Sequence, residues 1–184
     1  MENFKNIFTA AFLAFFCGAM FLVAKSSSSQ NQNFRAKSHP NFNLEFSGIV
    51  KVIDGDSIKV GNNEVRLFGV DAPEFKQVCF DAKNEEYECG KKSFYFLLNL
   101  ATKKNAKCYY AELDKYNRFL AKCFIGEISI NDEIIKNGMG VIYDYSQADE
   151  EIKKLEALAK EKELGIWQGA FELPKDYRKK HPRN

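Results

Sequence analysis

Between residues 44 and 70 the chain reads LEFSGIVKVIDGDSIKVGNNEVRLFGV, with apolar and β-branched positions alternating with polar ones. The turn signals DG and GNN interrupt this alternation at short intervals. A period of two is what strands with one buried face require, so the segment predicts a three-stranded antiparallel meander. Past Pro73 the period lengthens. CGKKSFYFLLNLATKK, 89–104, places Phe94, Leu97, Leu98 and Ala101 at helical spacing. NAKCYYAEL and RFLAKCFIG alternate once more and flank DKYN, which predicts a hairpin in which Tyr110 pairs with Ala121. INDEIIKNGMG, 130–140, predicts a short helix with Asn131 as N-cap and Gly138 at its C-terminal stop. DEEIKKLEALAKEKELGIW, 149–167, predicts a longer amphipathic helix with Ile152, Leu155, Leu158 and Ala159 as its apolar stripe and Gly165 ending it.

The order is therefore three strands, a helix, two strands and two helices. This is an α+β pattern. Five short strands with an inserted helix suggest a small closed or partly open β-barrel of the oligonucleotide/oligosaccharide-binding (OB-fold) type, with about three α-helices.

The flanks differ in character. Residues 7–24, IFTAAFLAFFCGAMFLVA, carry no charge and follow a lone Lys5. They read as a secretory signal or an uncleaved signal anchor over residues 1–26, so export or membrane association through residues 7–24 is expected. Ser-, Asn- and Gln-rich residues 27–43 read as a flexible linker, residues 44–170 as the folded domain, and the basic stretch 171–184 as a solvated tail. Across 184 residues, 27 Lys and Arg nearly balance 25 Asp and Glu, so any attraction to a polyanion must be local. Apolar content of 45%, including 17 Phe, is ample for a packed core and argues against global disorder. A monomer is expected.

Export gives the cysteines a meaning. Setting aside Cys17 leaves Cys79, Cys89, Cys108 and Cys123, an even set for an oxidising compartment, with three possible connectivities. The hairpin register puts Cys108 opposite Cys123, which favours that bridge and leaves Cys79 with Cys89. No C-x2-C spacing is present, so zinc is a poor alternative.

Candidate chemistry gathers at strand ends. Asp54 and Asp56 lie in VIDGDS after the first strand, and Asp71 and Glu74 lie in VDAPE after the third. Each is an ordinary polar turn when taken singly. In a meander these two places share one edge, so Asp56, Asp71 and Glu74 can converge, with Asp54 left as a turn residue. Converging carboxylates repel unless protonated or neutralised by a cation, and an oxygen-only set selects Ca²⁺ or Mg²⁺. Arg66 on the third strand and Arg118 at the start of the fifth add two guanidiniums, the groups that hold phosphate oxygens bidentately.

The segments VIDGDSIKV, VRLFGVDAPE, LDKYNRFLA, NDEIIKNGMG and AKEKELGIW resemble, in the same order, the thermonuclease or staphylococcal nuclease family. That resemblance implies a Ca²⁺-dependent nuclease acting on DNA and RNA. It implies Asp56, Asp71 and the Ala72 backbone carbonyl as metal ligands, Glu74 as general base or water-orienting residue, and Arg66 and Arg118 as phosphate ligands. It also implies Lys115 and Tyr116 at a terminal phosphate, and Tyr143 and Tyr145 lining a nucleotide pocket. Asn117 stands where the family often has Gly, a change Asn tolerates if the turn needs positive φ. The rival readings are a non-catalytic oligonucleotide-binding barrel and an envelope-anchored scaffold module.

Overall fold

The computed structural model describes residues 42–182. The expected signal or anchor segment, and the linker up to residue 41, lie outside the described residues. β1 (Leu44–Val52), β2 (Ser57–Val60) and β3 (Asn63–Leu67) form the expected meander, with Val52 opposite Ile58 and Ser57 opposite Arg66. Two-residue strands follow: β4 (Val70–Asp71), β5 (Cys79–Phe80) and β6 (Glu86–Tyr87). After helix α1 (Cys89–Ala101) come β7 (Asn105–Leu113) and β8 (Phe119–Ile125), the expected hairpin. Short β9 (Ile128–Ser129), helix α2 (Ile130–Lys136), β10 (Val141–Ile142) and helix α3 (Glu150–Glu161) complete the body.

The strand order is β3-β2-β1-β7-β8-β9, and a parallel pairing of β3 with β8 joins Arg66 to Leu120. That pairing closes β1, β2, β3, β7 and β8 into a five-stranded barrel, the OB-type α+β architecture expected from the pattern. Alternation explains the filling: Val50, Ile58, Val60, Val65 and Leu67 point inward and meet Leu97 and Ala101 of α1 and Ile130 and Ile134 of α2. Burying each large aliphatic side chain of this set is worth about 1.5–3 kcal/mol.

Both expected disulfides are formed, Cys79–Cys89 and Cys108–Cys123, and Tyr110 does pair with Ala121. Two local expectations are corrected. The N-cap of α2 is Ser129, whose hydroxyl accepts from Asp132 N, and not Asn131. Asn131 is instead fully buried, with its amide donating to Phe68 O and Ala121 O while its oxygen accepts from Cys123 N. Secondly, the basic tail is not merely solvated. Pro174–Lys180 forms a further helix, α4, with Pro174 at its first turn, where a missing N–H costs nothing.

A close backbone approach ties the ends of α2 and α3. Gly138 (φ +64) and Gly165 (φ +57) face one another, and a Cβ on either would lie 2.1 Å from a carbonyl oxygen of the other segment. Ile166 N donates to Gly138 O at 2.8 Å across this contact.

Candidate active site

The β1–β2 turn and the strand β4 lie at one barrel edge, as the meander requires. Asp56 in that turn is nearly buried, and its Oδ2 accepts from Ala72 N at 2.9 Å. The same residue's backbone carbonyl accepts from Leu67 N at 2.9 Å, which fastens the turn to the end of β3. Asp54 is indeed a turn residue: its Oδ1 accepts from Asp56 N at 3.1 Å.

Arg66, flanked by Ser57 on β2 and Leu120 on β8, projects into this edge. Its guanidinium pairs with Asp56 Oδ1, and Nη2 reaches Asp71 Oδ1 at 3.2 Å and Val70 O at 3.1 Å. One arginine thus joins both candidate metal ligands. Burial lowers its pKa from the ordinary value, with Asp71 and Asp54 pulling the other way. Leaving Asp56 and Asp71 buried without this cation would be costly, because an uncompensated interior charge destabilises strongly.

Arg118 arrives from the β7–β8 hairpin. Asp114 holds it through Nε at 2.8 Å and Nη2 at 2.7 Å, while Nη1 donates to Ser57 Oγ at 3.3 Å. Ser57 Oγ in turn donates to Asp56 Oδ1 at 3.2 Å, so Arg118 stands one hydroxyl away from the acid pair. Burial pushes the Asp114 carboxyl up, but the hydrogen bonds from the Arg118 backbone and guanidinium outweigh it and leave it lowered. Asn117 in this turn has φ 63, the left-handed conformation that Asn accepts more readily than most residues.

Glu74 sits on the segment between β4 and β5, and that segment is held from three sides. The Cys79–Cys89 bridge anchors it to the start of α1. Gly90 packs so closely that a Cβ there would lie 1.7 Å from Glu74 O. Gln77, fully buried, accepts from Glu74 N through Oε1 at 3.1 Å and donates from Nε2 to Glu172 O at 2.7 Å.

The structure adds one residue that the sequence reading left out. Arg178 on α4 donates from Nη1 to Asp71 Oδ1 at 2.8 Å and to Glu74 Oε1 at 3.2 Å. Burial works against its charge, yet the hydrogen bonds and charges of Asp71 and Glu74 prevail and raise its pKa. Asp56, Arg66, Asp71, Arg178 and Glu74 therefore form a continuous chain of alternating charge. The signal for α4 was present in PKDYRKK: Pro at the first turn, an acid beside it and bases in the last turn suit the helix dipole.

The outer residues are placed more loosely. Tyr116 is 67% exposed, with Lys115 Nζ 4.9 Å and the Arg118 guanidinium 5.4 Å from its ring centre. Tyr143 and Tyr145 are exposed; Tyr143 N donates to Gly69 O at 3.0 Å, and Lys160 Nζ donates to Tyr145 OH at 3.0 Å. Tyr143 is brought toward the acids by β10, whose Val141 pairs with Asp71.

As a donor set, Asp56 and Asp71 are hard oxygen ligands on opposite sides of one guanidinium, and the four cysteines of the domain are consumed in disulfides. Among the described residues no three His, Cys, Asp or Glu side chains converge on one point. By donor type, hard carboxylate oxygen, the pair suits a divalent cation, which would have to compete for these oxygens with the guanidiniums of Arg66 and Arg178.

Residues 64–169 match the family model for staphylococcal nuclease homologues. The chain is 36% identical over 129 residues to the succinoglycan biosynthesis protein ExoI of Rhizobium meliloti (strain 1021), covering 66% of this chain and 64% of that protein. It is 32% identical over 124 residues to an uncharacterized endonuclease of Haemophilus influenzae, covering 65% and 64%. It is 30% identical over 129 residues to the probable endonuclease LCL3 of Pyricularia oryzae, covering 64% and 49%. The chain thus spans between 49% and 64% of the length of these curated relatives.

Proposed function

The chain belongs to the staphylococcal nuclease family, and we propose that it is an exported, Ca²⁺-dependent nuclease hydrolysing phosphodiester bonds of DNA and RNA with low sequence specificity. The observation that carries this reading is the chain of charges at one barrel edge, in which Arg66 joins Asp56 to Asp71, Arg178 joins Asp71 to Glu74, and Arg118 stands one hydroxyl from Asp56. Two guanidiniums at one edge suit a phosphate, whose oxygens they can hold bidentately, better than a neutral sugar. The endonuclease names of the Haemophilus and Pyricularia relatives agree with it.

In the proposed reaction Arg66 and Arg118 grip the non-bridging oxygens of the scissile phosphate and stabilise charge as it builds there. Glu74 orients a water molecule and takes its proton. The water oxygen bonds to phosphorus as the P–O5′ bond breaks, and O5′ leaves with the bonding pair and is protonated by solvent, so that a 3′-phosphate remains. Ca²⁺ held by Asp56, Asp71 and the Ala72 carbonyl would supply positive charge at the phosphate and draw water toward it. Lys115, Tyr116, Tyr143 and Tyr145 would contact phosphate and bases along the strand, a mode that does not read base edges.

Plasmid nicking by the full chain in Ca²⁺, against the same reaction with chelator, tests the reading, with end-group analysis of the products. Cleavage only in Ca²⁺ with 3′-phosphate ends is expected. Binding without cleavage would replace the enzyme by a nucleic-acid-binding barrel. Export, and with it membrane association through residues 7–24, is part of the same proposal, supported by the two disulfides. Mass spectrometry of the protein from its host would show whether the segment is removed.

A further inference from the structure

We propose that Arg178 is a built-in counter-ion that competes with the divalent cation for the site, so that cation binding and docking of α4 oppose one another. The inference rests on the calcium-site assignment made above for Asp56 and Asp71.

The geometry puts the competition on one atom. Asp71 Oδ1 already accepts from Arg66 at 3.2 Å and from Arg178 at 2.8 Å. A carboxylate oxygen so occupied has little left to offer a metal ion, and a third positive charge beside two guanidiniums is repelled. Arg178 also occupies Glu74 Oε1, the oxygen side of the proposed base. Arg66 is fixed in the barrel wall between two strands and cannot leave. Arg178 can. It is carried by a seven-residue helix in which only Pro174 is buried, and a helix that short has little stability of its own. Its other ties are light: Tyr177 OH reaches Lys76 O at 3.4 Å, and Lys180 pairs with Glu172 at 2.7 Å.

The consequence is a reciprocal linkage. A cation that takes Asp71 loosens α4, and removing Arg178 tightens the cation by the same factor. Calorimetric titration of the full chain with Ca²⁺, without nucleic acid, measures this for the wild type, Arg178→Ala and Arg178→Gln. The expected result is a Kd about ten-fold lower in both variants, the equivalent of one lost charge-assisted contact. Hydrogen exchange on the wild type is a second readout that needs no variant: amides of residues 175–180 should exchange faster with Ca²⁺ than without.

An unchanged or weaker Kd in folded variants, or α4 amides indifferent to Ca²⁺, would overturn the proposal, as would failure of every form to bind Ca²⁺. Plasmid nicking run alongside separates this inference from the nuclease reading. A ten-fold shift in Kd with no cleavage by any form sinks the nuclease and keeps the linkage. Cleavage with an unshifted Kd does the reverse.

Discussion

Replacing Glu74 by Gln keeps the side chain's size and removes the oxygen that can take a proton. Nicking should fall by about 10²–10⁴-fold, while the thermal midpoint stays near the wild-type value. Arg118→Ala should lower nicking by about 10²–10³-fold, because a donor to developing phosphate charge is lost. Near-full activity in either variant would remove that residue from the mechanism. Asn131 makes a contrasting case, since its three hydrogen bonds join β8, α2 and the turn after β3. Asn131→Ala should cost about 2–4 kcal/mol in urea denaturation, because it orphans buried backbone groups. At this scale the sequence was legible where one residue's neighbours are local: Asp54 as a turn residue, Asn117 at positive φ. It was less so for Asn131 and Arg178. An Asn near a helix start looks like a cap, and nothing in a charged tail says which distant carboxylates it will meet.

Among the elements, α3 is positioned by its N-cap. Asp149 accepts from Ile152 N at 2.9 Å as N-cap and from Lys122 Nζ at 2.6 Å, tying the helix to β8. Burial pushes its carboxyl up, but the bonds from Lys122 and the Ile152 N–H prevail and hold it below the usual 3.8. A carboxyl lowered by folding stabilises fully above its unfolded value and loses that contribution as pH falls through the native one. Asp149→Asn retains a cap and loses the ion pair; Asp149→Ala loses both and should be worse by about 1 kcal/mol at pH 7. The gap between wild type and Asp149→Asn, measured in urea, should shrink once the pH drops below about 4. A gap that persists there would show that the ion pair is not its source. The five barrel strands, α1, α2 and α3 were legible because a period of two or 3.6 runs through each, whereas the two-residue strands β4, β5, β6, β9 and β10 are too short to carry one. α4 carries no apolar period and was hidden for that reason, although its Pro-first, base-last order marks a helix.

For the molecule as a whole, the two disulfides divide the work of restraint. Cys79–Cys89 holds the segment carrying Glu74, whereas Cys108–Cys123 staples the hairpin inside the barrel core. Replacing Cys108 and Cys123 by Ser should cost about 3 kcal/mol, the value for a closed loop of 15 residues. A change under about 1 kcal/mol in urea would mean that the barrel alone fixes the hairpin. Barrel topology and both bridges could be anticipated because register follows from alternation and turn length. The closure of Gln77 onto Glu172 could not, since the two lie 95 positions apart. That one bond also sets an order in time. The hairpins of the barrel need only short loops and close early, but the segment bearing Glu74 is completed when a chain contact spanning most of the domain is made. A refolding molecule should therefore possess the two hairpins of its barrel before the segment bearing Glu74 is in place, and nicking activity should be among the last properties to return.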